Sequence, residues 1–382
     1  MAVLNQWQKV SRVLGGDWGD AKDGSATISS DPNVRTTITG TAGQTTATAG
    51  ATTISNGDLV VLHQTQGTGA GQWEFNLVVS GGGSTSLVFA VPNHYTFATG
   101  AQIIKVPRYL AATISAHTTT AWNGSVGGIE VILAKTSITV SGALNGNGGN
   151  GAKGIGSIAG GTGGGFRGGA AKSNGSGHAY SGDGSVGNTL SQSAYNGNGG
   201  GGGRLNQNGG GGGGNATAGG NGQNVNGGTF GVGGTAVGST DLLTIFPGGG
   251  GGGGCKDSVK SVSSGASGGA IFILISKSIT LSAGVTVNGG SAIDCADGEG
   301  ACGGGGAGGS VLGVCDTATL GTNQITATAG GTSTTGADGG AGSVGRIAVH
   351  HSGTVTGTTN PTFVDVDDTS LRDISGAFLA FL

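Results

Sequence analysis

The sequence predicts an all-β protein: an N-terminal β module, then a β-solenoid-like repeat that carries a glycine-rich layer of polyglycine II type. Three observations predict it. Short β-branched runs alternate with Gly and Asn turns, one strand–corner–strand pattern recurs, and glycine is unevenly spread. Of 91 glycines, 18 lie in residues 1–140 and 47 in residues 141–254. Charged residues make up 9% of the chain, against about 25% in an average domain. Low charge argues against ordinary disorder, which needs high net charge and few apolar residues.

Residues 1–126 are expected to be an attachment or assembly module. Residues 5–14, with Trp7, Val10, Val13 and Leu14, are the one candidate for a short helix or docking arm. Thr36 to Thr53 is almost purely Thr, Ala and Gly, which suits an exposed strand or linker. From Ile54 onward come strand-like runs: Asp58–Leu62, Trp73–Val79, Ser86–Val91 and Gln102–Val106. Asn56-Gly57, Gly67-Thr-Gly69, Gly81–Gly83 and Pro92-Asn93 separate them, as turn chemistry requires.

Residues 127–350 carry the repeat. Gly127–Gly142 lines up with Gly268–Ala283, with weaker echoes at Gly308–Leu320 and Gly342–His351. Each copy reads as strand, corner, strand and glycine. Repeated β units with insertions between them are the signature of stacked coils that bury apolar side chains only against neighbours. Residues 351–382 form a C-terminal segment whose apolar end, Ala377–Leu382, invites a partner or caps the last coil.

The insertion at 142–254 contains the runs Gly199–Gly203, Gly209–Gly214 and Gly248–Gly254. A flexible linker would be rich in solvating residues. Here apolar anchors interrupt the glycines instead: Ile155, Ile158, Phe166, Leu205, Val225, Phe230, Val232 and Leu242–Phe246. Glycine can form a threefold extended helix without internal hydrogen bonds. Lacking Cβ atoms, such helices can approach and bond laterally, so that backbone pairing replaces a side-chain core. These tandem glycine motifs, with variable segments between them, resemble the polyglycine-sandwich adhesins at the tips of long tail fibres of T-even-like bacteriophages. The resemblance covers about residues 142–340. It implies polyglycine II packing and intervening loops that contact a bacterial surface receptor.

Composition narrows the function. A net charge of −3 and a pI near 6.0 leave no electrostatic footprint for nucleic acid. The longest apolar run, Ala270–Ile275, is far shorter than the roughly 20 residues of a membrane span. The start of the chain lacks a basic stretch followed by an apolar one, so no secretory signal is expected. Cys255, Cys295, Cys302 and Cys315 either form two disulfides or stay as buried thiols; no zinc spacing joins them.

Catalysis finds little footing. Glu74, Glu130 and Glu299 are the only glutamates, and glycoside cleavage needs two facing carboxylates. Asp294, Asp297 and Glu299 could make a calcium-type oxygen cage, but their spacing suits a solvated turn better. Asp17, Asp20 and Asp23, and Asp365, Asp367 and Asp368, read as polar turns. On a strand the rings of His350 and His351 would face opposite ways, which prevents joint chelation. Neither metal nor cofactor is expected. Recognition is better supported: Arg167, Tyr180, Tyr195 and Arg204 sit in glycine-rich excursions, where aromatic and planar-cationic groups serve as contact anchors. Phe166 is expected to plug the layer's edge. The expected role is a non-enzymatic virion-surface or extracellular protein, a tail fibre or tip adhesin. It would be oligomeric, with other virion subunits and a bacterial receptor as partners. Alternatives are the subunit of an extracellular filament or capsid-decorating layer and, below these, a polysaccharide-degrading spike.

Overall fold

The computed structural model describes residues 18–51, 53–173, 177–225, 227–295, 299–333, 336–368 and 371. The expected docking arm at 5–14 and the apolar tail at 377–382 lie outside them. Among the described residues the secondary structure is β throughout, with no α-helix.

The chain starts with β1 (Ala26–Ile28) and then closes an antiparallel barrel. The barrel strands are β2 (Arg35–Gly40), β3 (Thr46–Ala49), β4 (Leu59–Gln64), β5 (Trp73–Ser80), β6 (Ser86–Phe89) and β7 (Phe97–Val106), ordered β2-β3-β6-β5-β4-β7. The Thr/Ala/Gly segment at 36–53 is thus no linker. It supplies β2 and β3, because Ile38, Ala47 and Ala49 alternate with outward threonines and fill the barrel. Leu62, Val78, Leu87, Phe89 and Ile103 complete that interior.

Beyond the barrel come β8 (Arg108–Ile114), β9 (His117–Thr118), β10 (Ile129–Val140) and β11 (Leu144–Asn145). Five short strands edge the glycine-rich part: β12 (Lys153–Gly154), β13 (Ser157–Ile158), β14 (Ala171–Ser173), β15 (Cys255–Lys256) and β16 (Val262–Ser263). The chain returns through β17 (Ile271–Leu281), β18 (Val285–Thr286), β19 (Ser310–Thr326), β20 (Arg346–His351), β21 (Val355–Asn360) and β22 (Val364–Asp367).

All four copies of the repeat become parallel neighbours in one sheet, β10-β17-β19-β20, which β1 and β8 extend at one side and β22 at the other. The barrel itself occupies residues 35–106, so β1 and β8, although within 1–126, belong with the repeat. A second row of short parallel pairs joins β9, β11, β18 and the ends of β19 and β21. The sequence alignment of β10 with β17 needs one correction. Ser137 does oppose Ser278, but Ile129 opposes Ile271, because Lys135 and Thr136 stand against the single Lys277. One extra residue moves every preceding side chain to the other face. Ile129, Val131 and Leu133 therefore join Ile271 and Ile273 and pack on the barrel's outer face at Val61, Phe75 and Ile104. Ile132, Ile138 and Val140 join Phe272, Ile279 and Leu281 in the opposite core. Past the corner, Thr27, Thr113, Thr139, Thr280, Thr319 and Thr356 form one in-register row.

The glycine runs belong to no strand, yet they are buried. In Gly209–Gly214 the amides donate in turn to Gln223, Cys302, Gly201, Gly220, Gly305 and Asn198 carbonyls, over 2.7–3.0 Å. Every third amide thus returns to the same neighbouring segment. Gly248–Gly254 behaves likewise: residues 248, 251 and 254 donate to Gly269, Ala266 and Ser263, residues 249 and 252 to Gly214 and Gly211, and residues 250 and 253 to Asp183 and Tyr180. Left-handed φ values are not the reason for glycine here, since no residue of these runs has one. Space is. A Cβ on Gly212 would overlap the Ala341 carbonyl, and one on Gly249 the Asn198 carbonyl.

Candidate functional site

The excursions from the glycine-rich part hold the four residues singled out for recognition. Phe166 is fully buried and meets Trp122 edge-on, with ring centroids 5.7 Å apart. Beside it Arg167 Nε donates to Asp183 Oδ2 over 2.7 Å, and Trp122 Nε1 donates to the same oxygen over 3.2 Å. Asp183 Oδ1 accepts from the Thr189 amide at 2.6 Å. Burial pushes the Asp183 carboxyl up, against the opposing pull of Arg167. Arg167 is therefore engaged with Asp183, which also holds the Thr189 amide, and its side chain is only 31% exposed.

The other three lie around the run Gly199–Gly203. Tyr180 pairs with Ser191, Gly202 donates to the Gln192 carbonyl, and Arg204 pairs with His178 and Thr229. Tyr180 is 38% exposed and Tyr195 49%, with Leu190 at 50% nearby in the chain. Asn196 Nδ2 donates to the Gly182, Gly187 and Asn188 carbonyls and so fixes the turn that carries Tyr195. Arg204 is exposed. Burial, then the charges of Arg204 and Lys172, hold the His178 ring below its ordinary value. Two phenols, an alkyl chain and a cationic neighbourhood on a rigid base suit contact with a partner's surface.

The carboxylates are dispersed. Glu74 accepts from the His94 amide at 2.8 Å, Glu130 meets His117 Nε2 at 2.9 Å, and Glu299 pairs with Lys260 at the surface at 2.9 Å. Of the calcium candidates, Asp294 accepts from the Ser333 hydroxyl at 2.8 Å, Glu299 is taken by Lys260, and Asp297 lies outside the described residues. No group of three or more metal-ligating side chains is found among the described residues. Asp20 and Asp23 both bind Arg108, while Asp17 lies outside the described residues. Asp365 and Asp367 sit on β22 rather than in a turn, and Asp365 meets His351. His350 bonds the Asp241 carbonyl instead, as the strand geometry expects.

One disulfide is present, between Cys295 and Cys302. Cys255 and Cys315 are free and buried. A second bridge does not form because Cys315 stands between Ser276 and His351 in the sheet, while Cys255 Sγ donates to the Gly177 carbonyl over 3.3 Å.

A buried polar cluster at the barrel–sheet junction went unnoticed in the sequence. Arg35 grips Asp31 at 2.7 Å, Asp31 accepts from Thr119 and Thr120, and His117 meets the fully buried Glu130. Its one signal was Glu130 itself, a lone acid in the apolar run Ile129–Ala134, which demands a partner. Comparison of the chain with protein-family models, curated proteins and solved structures gives no match.

Proposed function

We propose that the protein is a non-enzymatic receptor-binding component of a virion surface, a phage tail fibre or tip adhesin. In this reading the parallel repeat is a β-solenoid, the glycine runs are a polyglycine II layer, and the excursions are recognition loops. The three-residue rotation of amide donors along Gly209–Gly214 carries it, because a threefold extended helix turns successive N–H groups toward three different neighbours. Such a layer gives Tyr180, Tyr195 and Arg204 a stiff base, so contact costs little ordering entropy. Receptor and sister subunits of the virion are the partners. Sedimentation of the protein with host envelopes tests the reading. Tyr180→Ala with Tyr195→Ala should abolish it; undiminished sedimentation would remove the assigned surface.

A second reading, the subunit of an extracellular filament or decorating layer, draws on the sheet's ends. Among the described residues β1 pairs only with β8 and β22 only with β20, which leaves unpaired backbone at both edges. Filaments of the purified protein in electron micrographs would favour it.

A further inference from the structure

We infer that the groove between the barrel and loop 184–188 is a binding site for a neutral saccharide. The inference goes beyond the receptor-binding reading: it adds a second contact, of stated chemical class, at residues other than Tyr180, Tyr195 and Arg204. The groove encloses about 560 Å³, within the range of small-ligand sites and enough for one or two sugar rings. One wall is the barrel's outer surface, where Thr39 on β2 stands directly opposite Thr48 on β3, with Thr37 and Thr99 beside them. Ser125 and Asn188 form the other wall.

These side chains are exposed, and none of the five hydroxyls is hydrogen-bonded among the described residues. Among the described residues no charged or aromatic side chain lines the groove. A phosphate, a carboxylate or a nucleic acid would find no counter-charge among these lining side chains. A row of unengaged hydroxyls and one amide, each both giving and taking hydrogen bonds, matches a ligand whose own groups do the same. Uncharged sugars are that ligand.

The walls are held in place before any ligand arrives. Gln66 Nε2 donates to the Gly184 carbonyl over 2.9 Å, the Gly67 amide to Ser185 over 2.8 Å, and Asn188 Nδ2 to Gly124 over 3.1 Å. Gly100, at φ +95°, has no room for a side chain, since a Cβ there would meet the Gln66 carbonyl. A preformed site loses less on binding.

The test uses the full chain on an immobilised panel of neutral hexose and N-acetylhexosamine oligosaccharides, with sialylated and sulfated chains of equal length as controls. Binding to a neutral member is expected. Thr37→Val with Thr39→Val, which keeps shape and removes hydroxyls, should weaken it about tenfold, the weight of one or two net hydrogen bonds. The unfolding temperature of each variant checks that the barrel is intact, and Ser125→Tyr, which fills the groove from a loop, gives an independent loss. Binding to charged oligosaccharides alone, equal binding by the groove variants, or a blank panel would overturn the site. A blank panel with envelope binding retained removes the groove and leaves the receptor-binding role. Sugar binding without envelope binding does the reverse.

Discussion

Replacing one glycine of the buried runs by alanine tests whether backbone contact supports the middle of the chain. At Gly212 the new methyl would overlap the Ala341 carbonyl, which accepts the Gly220 amide at 2.8 Å. The 340–341 segment must then move, and with it the Gly340 amide bond to Gly210, also 2.8 Å. Two disrupted buried bonds at about 1–3 kcal/mol each sum to about 2–6 kcal/mol. Stiffening the unfolded chain returns about 0.4–1 kcal/mol, so a net loss of about 1–6 kcal/mol is expected. Gly187 is the control: it has ordinary φ and nothing within 4 Å of an added Cβ, so Gly187→Ala should be neutral or slightly stabilising. Amide exchange read by mass spectrometry measures the opening of peptides covering 209–223 and 339–345. Gly212→Ala should speed exchange there about fivefold or more, Gly187→Ala not at all. Equal protection in the two variants would refute the argument that close glycine packing holds this region.

The junction cluster predicts a pH dependence. Burial opposes charge on His117, but the hydrogen bond and charge of Glu130, with the Ser115 carbonyl and Asp31, together hold the ring above its ordinary value. Burial raises the Glu130 carboxyl despite His117. Both folded-state values lie above the unfolded ones. Their stabilisation is therefore present at acid pH and is lost as pH rises through the folded-state values. Urea midpoints should fall from mildly acidic to alkaline pH, and Glu130→Gln should flatten the slope. His117→Ala, which strands a buried carboxylate, should cost about 3 kcal/mol near neutrality. The free thiols make a third case. Burial pushes Cys315 up to about 12, with Asp316 adding to it, and raises Cys255 as well. Iodoacetamide at pH 8 should leave both unlabelled until the chain unfolds, as mass spectrometry would report.

The sequence by itself determined which stretches are strands and which recur. Ser137-Ile-Thr-Val-Ser141 and Ser278-Ile-Thr-Leu-Ser282 alternate hydroxyl and apolar residues, and a period of two is readable without a partner. The same alternation in Ser25–Ser29 and Ala111–Ser115 is as regular, but small inward residues at Ala26 and Ala112 mute it. Phe166 is fully buried edge-on against Trp122, a contact between residues 44 apart that the sequence alone does not name. Tertiary structure decided the rest. The extra residue at Lys135–Thr136 sets which face each apolar side chain takes, and only pairing with β17 reveals it. Barrel closure placed the Thr-rich segment beside β7, and the parallel pairings of β9 and β10 positioned His117 and Glu130 to meet. Above all, glycine bears no side chain to encode a neighbour. Which carbonyl each amide of Gly209–Gly214 meets was settled by the strands that bring those segments together.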